Sequence, residues 1–303
     1  MTSSAAGIRA GIAAFSIWGA LTVYWKQLDR FGAVELIGWR IAMMTLFMAV
    51  VSTITRGWQP VLAALANPRR AAAVAVASVL LTVNWTTYVY AVVNDQIVET
   101  ALGYFLAPLG TMAIGVLILR ERLTPLRWTA AGFAVVAVAV LTISYGQIPW
   151  LAIIIGLTFA FYGLVKRNST LNAIEGLNAE GLVLFIPALI IIAISGFSPT
   201  SIIASADTVD WLLVLGTGVA TAVPLLLFSA AAKSVPFTIL GPLNYLVPII
   251  NFTLGWVVYS EPMPTSRLIG FVLVWFALIA VTVDTLRRAT VQTPMPARLK
   301  VDG

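Results

Sequence analysis

Ten apolar runs, each close to twenty residues long, fill the chain and leave only short polar breaks between them. A helix needs about 20 mostly apolar residues to cross roughly 30 Å of hydrocarbon. The spacing predicts spans near 7–25, 33–54, 71–93, 97–119, 126–145, 149–165, 178–196, 209–230, 237–258 and 265–285. Trp58, Trp128, Trp150 and Trp211 fall near span ends, where an amphipathic ring favours the headgroup layer.

Composition agrees with lipid as the solvent. Apolar residues make up 60% and charged residues 10% of the chain, against roughly 45–50% and about 25% in soluble domains. A net charge of +6 does not point to nucleic acid, because the 18 Lys and Arg punctuate the apolar runs instead of forming one stripe. There is no Cys and no His. That excludes disulfides, thiol catalysis and Cys or His metal sites; no metal and no cofactor are expected. Arg9 precedes the first run, which ends in Tyr24-Trp25-Lys26 without a small-residue cleavage site, so the segment reads as a retained span.

With the N-terminus inside, all but four of the 18 basic residues fall in cytoplasmic segments; the exceptions are Lys26, Arg30, Arg40 and Arg267. This bias predicts a multi-pass protein with an even number of spans and both termini cytoplasmic.

Moving Val83 to Thr142 down the chain by 140 positions lays the stretch, without a gap, on Val223 to Thr282. Nine of sixty positions coincide, among them Pro108/Pro248, Gly115/Gly255, Glu121/Glu261 and Arg127/Arg267. Each copy places a Pro inside an apolar helix, a Gly seven residues on and a Glu six further, where the apolar run stops. Five spans per copy turn the second copy over in the bilayer. The fold expected is therefore an all-α membrane protein of ten transmembrane helices in two inverted five-helix repeats, residues 1–146 and 147–288, with 289–303 a disordered cytoplasmic tail. Such folds place a substrate path between the repeats near the midplane.

Charge inside the apolar runs is rare. Arg40 lies deepest, about seven residues into the second span, where a charge costs at least ~2.5–3.5 kcal/mol unless paired. Glu35, five positions earlier, is poorly spaced to pair with it along one helix, so its partner lies on another helix or is the substrate. Trp18, Asn84, Trp85, Tyr88, Tyr104, Tyr162, Asn244 and Tyr245 join Arg40 as candidates to line the path. Each alone is better explained by helix packing or interhelical hydrogen bonding than by ligand contact, but an aromatic set with scattered amides suits a small amphipathic organic substrate. Pro108 and Pro248 each remove a backbone hydrogen bond and are candidate hinges, with a static kink as the other reading. Glu35, Glu99 and Glu180 are the carboxylates that could carry a coupling proton. No catalytic constellation and no Walker-type loop occur, so no enzymatic activity is expected and any transport would be gradient-driven.

Ser16-Ile17-Trp18-Gly19, Tyr24-Trp25-Lys26, Glu35 with Arg40, Asn84-Trp85, Leu102-Gly103-Tyr104-Phe105 with Pro108-Leu109, Glu121-Arg122 and the Phe159 to Val165 stretch occur in order along the chain. With Val223-Pro224-Leu225-Leu226, Phe228 and Asp284 in the second half, the chain resembles the RarD group in the EamA branch of the drug/metabolite transporter superfamily. The resemblance implies ten helices in a five-plus-five inverted arrangement and movement of small metabolites or drugs across the bacterial inner membrane. It departs at Trp39, where the group's pattern usually has His.

The reading that results is a secondary-active permease of the bacterial inner membrane. A membrane scaffold or regulator that moves nothing and affects drug sensitivity indirectly is the alternative. The partners expected are the lipid bilayer and the substrate, with a homodimer left open and nucleic acid excluded.

Overall fold

Capping residues set where the helices begin. Asn67 accepts from the backbone N–H of Arg69 and Arg70 ahead of Pro68, and Thr124 accepts from Arg127 ahead of Pro125. Asn172 with Glu175, and Asp207 with Asp210, close reciprocal capping boxes. A Pro at the first helical position lacks an N–H that would be unsatisfied anyway, so these starts cost little. Gly146, at φ 68°, ends the sixth helix in the left-handed conformation that glycine adopts without strain.

The computed structural model describes residues 5–118, 120, 123–167, 169–235 and 243–291. Its helices are α1 (Ala5–Lys26), α2 (Ala33–Ile54), α3 (Trp58–Ala66), α4 (Pro68–Val93), α5 (Ile97–Leu117), α6 (Pro125–Tyr145), α7 (Trp150–Arg167), α8 (Ala173–Ser195), α9 (Ile202–Ser205), α10 (Thr208–Ser234), α11 (Leu246–Thr253) and α12 (Thr265–Val291). Among the described residues, nine helices are long and apolar enough to cross a membrane. The expected ninth span is represented by α11 and the π-helical turn Leu254–Val258 that extends it, a shorter apolar segment; most of its first turns lie outside the described residues.

Two short helices, α3 and α9, were not anticipated, and α12 runs to Val291, three residues into the stretch read as a tail. The rest of that tail, and Glu121 of the matched Glu pair, lie outside the described residues. Large apolar side chains face outward along the spans, as at Val135, Ile143, Ile194 and Leu212, the arrangement that hydrocarbon surroundings favour.

The two sequence halves interleave. α1 packs along α10 and α11, while α7 packs along α4 and α5. Between them, α2 lies on α8, and α6 lies on α12. The last pair is antiparallel, with Arg127 beside Asp284 at one end and Ser144 bonded to Ser266 at the other. α5 and α11 also approach head to tail: Gly255 is set against Ile97 and Val98 so closely that a Cβ would stand 2.8 Å from Val98 Cγ2. Arg120 and Ser260, 140 positions apart and each just ahead of a matched Glu, share a left-handed backbone at φ 54° and 55°.

Candidate functional site

Arg40 is the charge around which the interior is arranged. α2 carries it into the helix bundle, where it is 4% exposed. Its Nε donates to Thr221 Oγ1 of α10 at 3.1 Å, a neutral partner from the other sequence half. Its guanidinium carbon lies 3.9 Å from the centre of the Trp85 ring and 5.2 Å from that of Trp25. None of the ion pairs among the described residues includes Arg40, and its Nη1 is buried with no hydrogen-bond partner. Cation–π contact of this kind contributes about 0.5–2 kcal/mol, which does not offset the loss of water by a full charge.

Aromatic rings extend the box. Trp85 and Tyr88 are three apart on α4 and so share a face. The Tyr88 and Tyr104 rings are 6.0 Å apart, and Tyr104 continues to Phe159 of α7 at 6.2 Å. Trp18 stands against Phe15 and Phe228 and packs into the same apolar cluster as Tyr104. Side chains from both halves thus converge on one aromatic cluster around Arg40.

A directional hydrogen-bond chain adjoins it. Thr22 Oγ1 donates to Asn251 Oδ1 at 2.9 Å, so its 2.8 Å contact with Tyr88 is donated by the phenol. Asn251 Nδ2 then donates to Thr100 Oγ1, which donates to the carbonyl of Ile97. α4, α1, α11 and α5 are tied together by these four side chains.

Beyond this chain lies the Ile97 end of α5, where Glu261 accepts from the N–H groups of Ile97 and Val98. Burial raises the Glu261 carboxyl above its ordinary value, and the two backbone donors act against that rise. Asp95, Gln96, Glu99, Gln147 and Arg267 share with it a polar cavity of about 240 Å³. Lys26 bridges Asp29 and Asp95 at 3.0 and 2.6 Å.

The remaining residues singled out from the sequence fall elsewhere. Asn84 donates to the carbonyl of Ile155 and to Thr158, both at 3.0 Å, so its amide fastens α4 to α7. Tyr162 donates to Glu180 at 3.1 Å, and Glu180 pairs with Lys166 at 2.7 Å. Glu35 accepts the N–H of Ile202 and holds the start of α9. Tyr245 borders an apolar groove of about 590 Å³ with Phe105, Phe252 and Trp275, and accepts from Thr282 at 3.4 Å. Asn244 lies in the turn before α11, its carbonyl accepting from Val247. Pro108 is inside α5, whereas Pro248 falls in the first turn of the described α11, where its missing donor costs least.

Sequence reasoning missed Thr221, Thr22 and the capping role of Glu261. Glu261 carried a signal, its match to Glu121. The threonines carried none, since membrane helices accommodate Thr by bonding it to the carbonyl one turn back, as Thr45, Thr82 and Thr86 do. No cluster of His, Cys, Asp or Glu suited to a metal occurs among the described residues.

Known proteins place this architecture. A protein RarD of Streptomyces exfoliatus is 40% identical over 283 residues, covering 93% of this chain and 90% of that one. An uncharacterized transporter of Pseudomonas aeruginosa is 37% identical over 279 residues, 91% of this chain and 93% of its own. A solved crystal structure shares the fold at a TM-score of 0.60, with 18% identity, 94% of this chain and 100% of that chain covered. The EamA-like transporter family matches over residues 5–143 and again over 148–283. With nearly the whole chain matched, this multi-pass membrane protein belongs to the EamA-like transporter family and is homologous to the RarD proteins of several bacteria.

Proposed function

We propose that the chain is a secondary-active permease of the bacterial inner membrane, holding a small amphipathic organic substrate between two inverted five-span repeats and exposing it to alternate sides. The observation that carries the reading is Arg40, a buried cation at the meeting of both halves with no carboxylate partner among the described residues. Intramembrane charges mark substrate or ion pathways by default.

Several features support the inverted arrangement. The family match falls twice, on either side of residues 144–147. Equivalent helices meet head to tail, α5 with α11 and α6 with α12. The contacts of α1 with α10 and α11 are mirrored by those of α7 with α4 and α5. Glu261 stands at the Ile97 end of α5, opposite the end that Glu121 follows. Ten spans, cytoplasmic termini and gradient drive complete the proposal.

The test is flux through the purified protein in vesicles, with labelled organic anions, cations and neutral molecules offered under an imposed pH gradient and under a membrane potential. Uptake or loss above protein-free vesicles for at least one class is expected. No flux under either gradient would leave the scaffold reading instead.

A further inference from the structure

The charge and the rings gathered at Arg40 point to a class of substrate. Resting on the permease reading, we infer that the molecule carried is an organic monoanion, a carboxylate on a flat apolar body, whose carboxylate docks on the free edge of Arg40. Arg40 keeps its charge under all ordinary conditions, because a guanidinium does not give up its proton in proteins. Its Nε is used by Thr221 and one face is covered by Trp85, but Nη1 is buried and has no acceptor. A buried donor on a full charge is best satisfied by an anionic oxygen, and a carboxylate is the partner whose geometry fits a guanidinium edge.

The rings around Arg40 bear on the rest of the molecule. Trp25, Trp85, Tyr88 and Tyr104 present ring faces and edges, which favour a planar apolar body over a strongly hydrated inorganic ion. Tyr88 has spent its proton on Thr22, so it offers this body a lone pair and no second donor. Arg40 is the one cation among the described residues of this cluster, which suits one negative charge. The same fixed charge repels amphipathic amines, so the site discriminates by charge sign before shape.

Three probes of one size separate these possibilities: 3-phenylpropanoate, 3-phenylpropanamide and 3-phenylpropylamine, titrated against the full chain in lipid nanodiscs by quenching of tryptophan fluorescence. The carboxylate is expected to bind at least roughly tenfold more tightly than the amide, as charge-assisted hydrogen bonds outweigh neutral ones, and the amine not to bind. In Arg40→Gln the carboxylate should fall to the level of the amide. Thr221→Ala, which keeps the charge, should retain the order of the three. Because the ligand series is read on the unaltered protein, poor folding of a variant does not blunt the test. Amine binding equal to or above the carboxylate overturns the inference. No binding of any probe, in a protein that still shows flux of other solutes in vesicles, overturns it while leaving the permease reading intact.

Discussion

The carboxylate of Glu261 accepts the backbone N–H of Val98 at 2.8 Å, across 163 positions of sequence. Its second oxygen takes the N–H of Ile97, so one side chain from the second half satisfies two donors at the start of α5. A helix start leaves four such donors free, and Gln96 at the cap position of α5 supplies no side-chain acceptor. Negative charge there is also favoured by the helix dipole. With Gly255 pressed against the same turn and Asn251 bonded to Thr100 one turn deeper, α5 and the segment α11 leads into are fastened together at this end.

The latch at Glu261 should be visible in the pH dependence of stability. Burial raises its carboxyl above the ordinary value of 4.5, with Asp95 acting in the same direction and Lys26 against it. A group whose folded value is raised contributes stability that is complete below the unfolded value and is lost as pH rises through the folded one. The melting temperature of the wild type should therefore fall relative to that of Glu261→Gln as pH increases from below 4.5 toward neutrality. Parallel curves for the two proteins in the same detergent would remove the assignment.

Asn84 is expected to matter for stability rather than for recognition. Its amide joins the carbonyl of Ile155 and the hydroxyl of Thr158, both on α7. Interhelical polar bonds in membranes contribute on the order of 0.6–2 kcal/mol. Asn84→Ala should lower the melting temperature by a corresponding few degrees and leave the KM of any transported substrate unchanged. A raised KM with unaltered melting would return Asn84 to the substrate path.

How far the chain could be read without its structure depended on how many roles a residue type can fill. A charge deep in an apolar run has few explanations, so Arg40 was legible, and three-residue spacing put Trp85 and Tyr88 on one face beside it. Asn84 and Tyr162 were less so, because the groups that would hold a ligand are the same groups that join helices, and here one is taken by α7 and the other by Glu180. Hydropathy delimited most spans to within a few residues but says nothing about neighbours. The exchange by which α1 sits on α10 while α7 sits on α5 depends on shape at small residues such as Gly103 of α5, where a Cβ would lie 2.7 Å from Ile155 Cβ of α7.

Two glycine substitutions should diverge. At Gly218 a Cβ would stand 2.5 Å from the carbonyl oxygen of Met43, backbone against backbone, so α10 and α2 must part to admit it. Overpacking of this kind costs about 1–3 kcal/mol. Gly132 on α6 is exposed with nothing within 4 Å of a Cβ, and alanine there gains up to about 1 kcal/mol of helix propensity. Gly218→Ala should melt earlier than the wild type and Gly132→Ala at or above it; equal melting of the two variants would show that the α2–α10 contact is looser than described.

The chain's lack of cysteine permits a direct test of the proposed inversion of the two halves. Leu123 and Met263 are separated by the 140 positions of the repeat and lie in the links that lead into α6 and α12. α6 and α12 run antiparallel, since Arg127 near the start of one meets Asp284 near the end of the other, and Ser144 meets Ser266 at the opposite ends. Helices of roughly 20 residues or more at 1.5 Å per residue span the hydrocarbon, so their starting ends must emerge on opposite faces. A membrane-impermeant maleimide applied to intact cells should label Met263→Cys and spare Leu123→Cys, with both labelled once the membrane is opened. In the orientation proposed from the distribution of Lys and Arg, the Leu123 side faces the cytoplasm, where the impermeant reagent cannot reach. Equal labelling of both cysteines from outside would place the two starting ends on one face and contradict the antiparallel pairing on which the proposed alternating access depends.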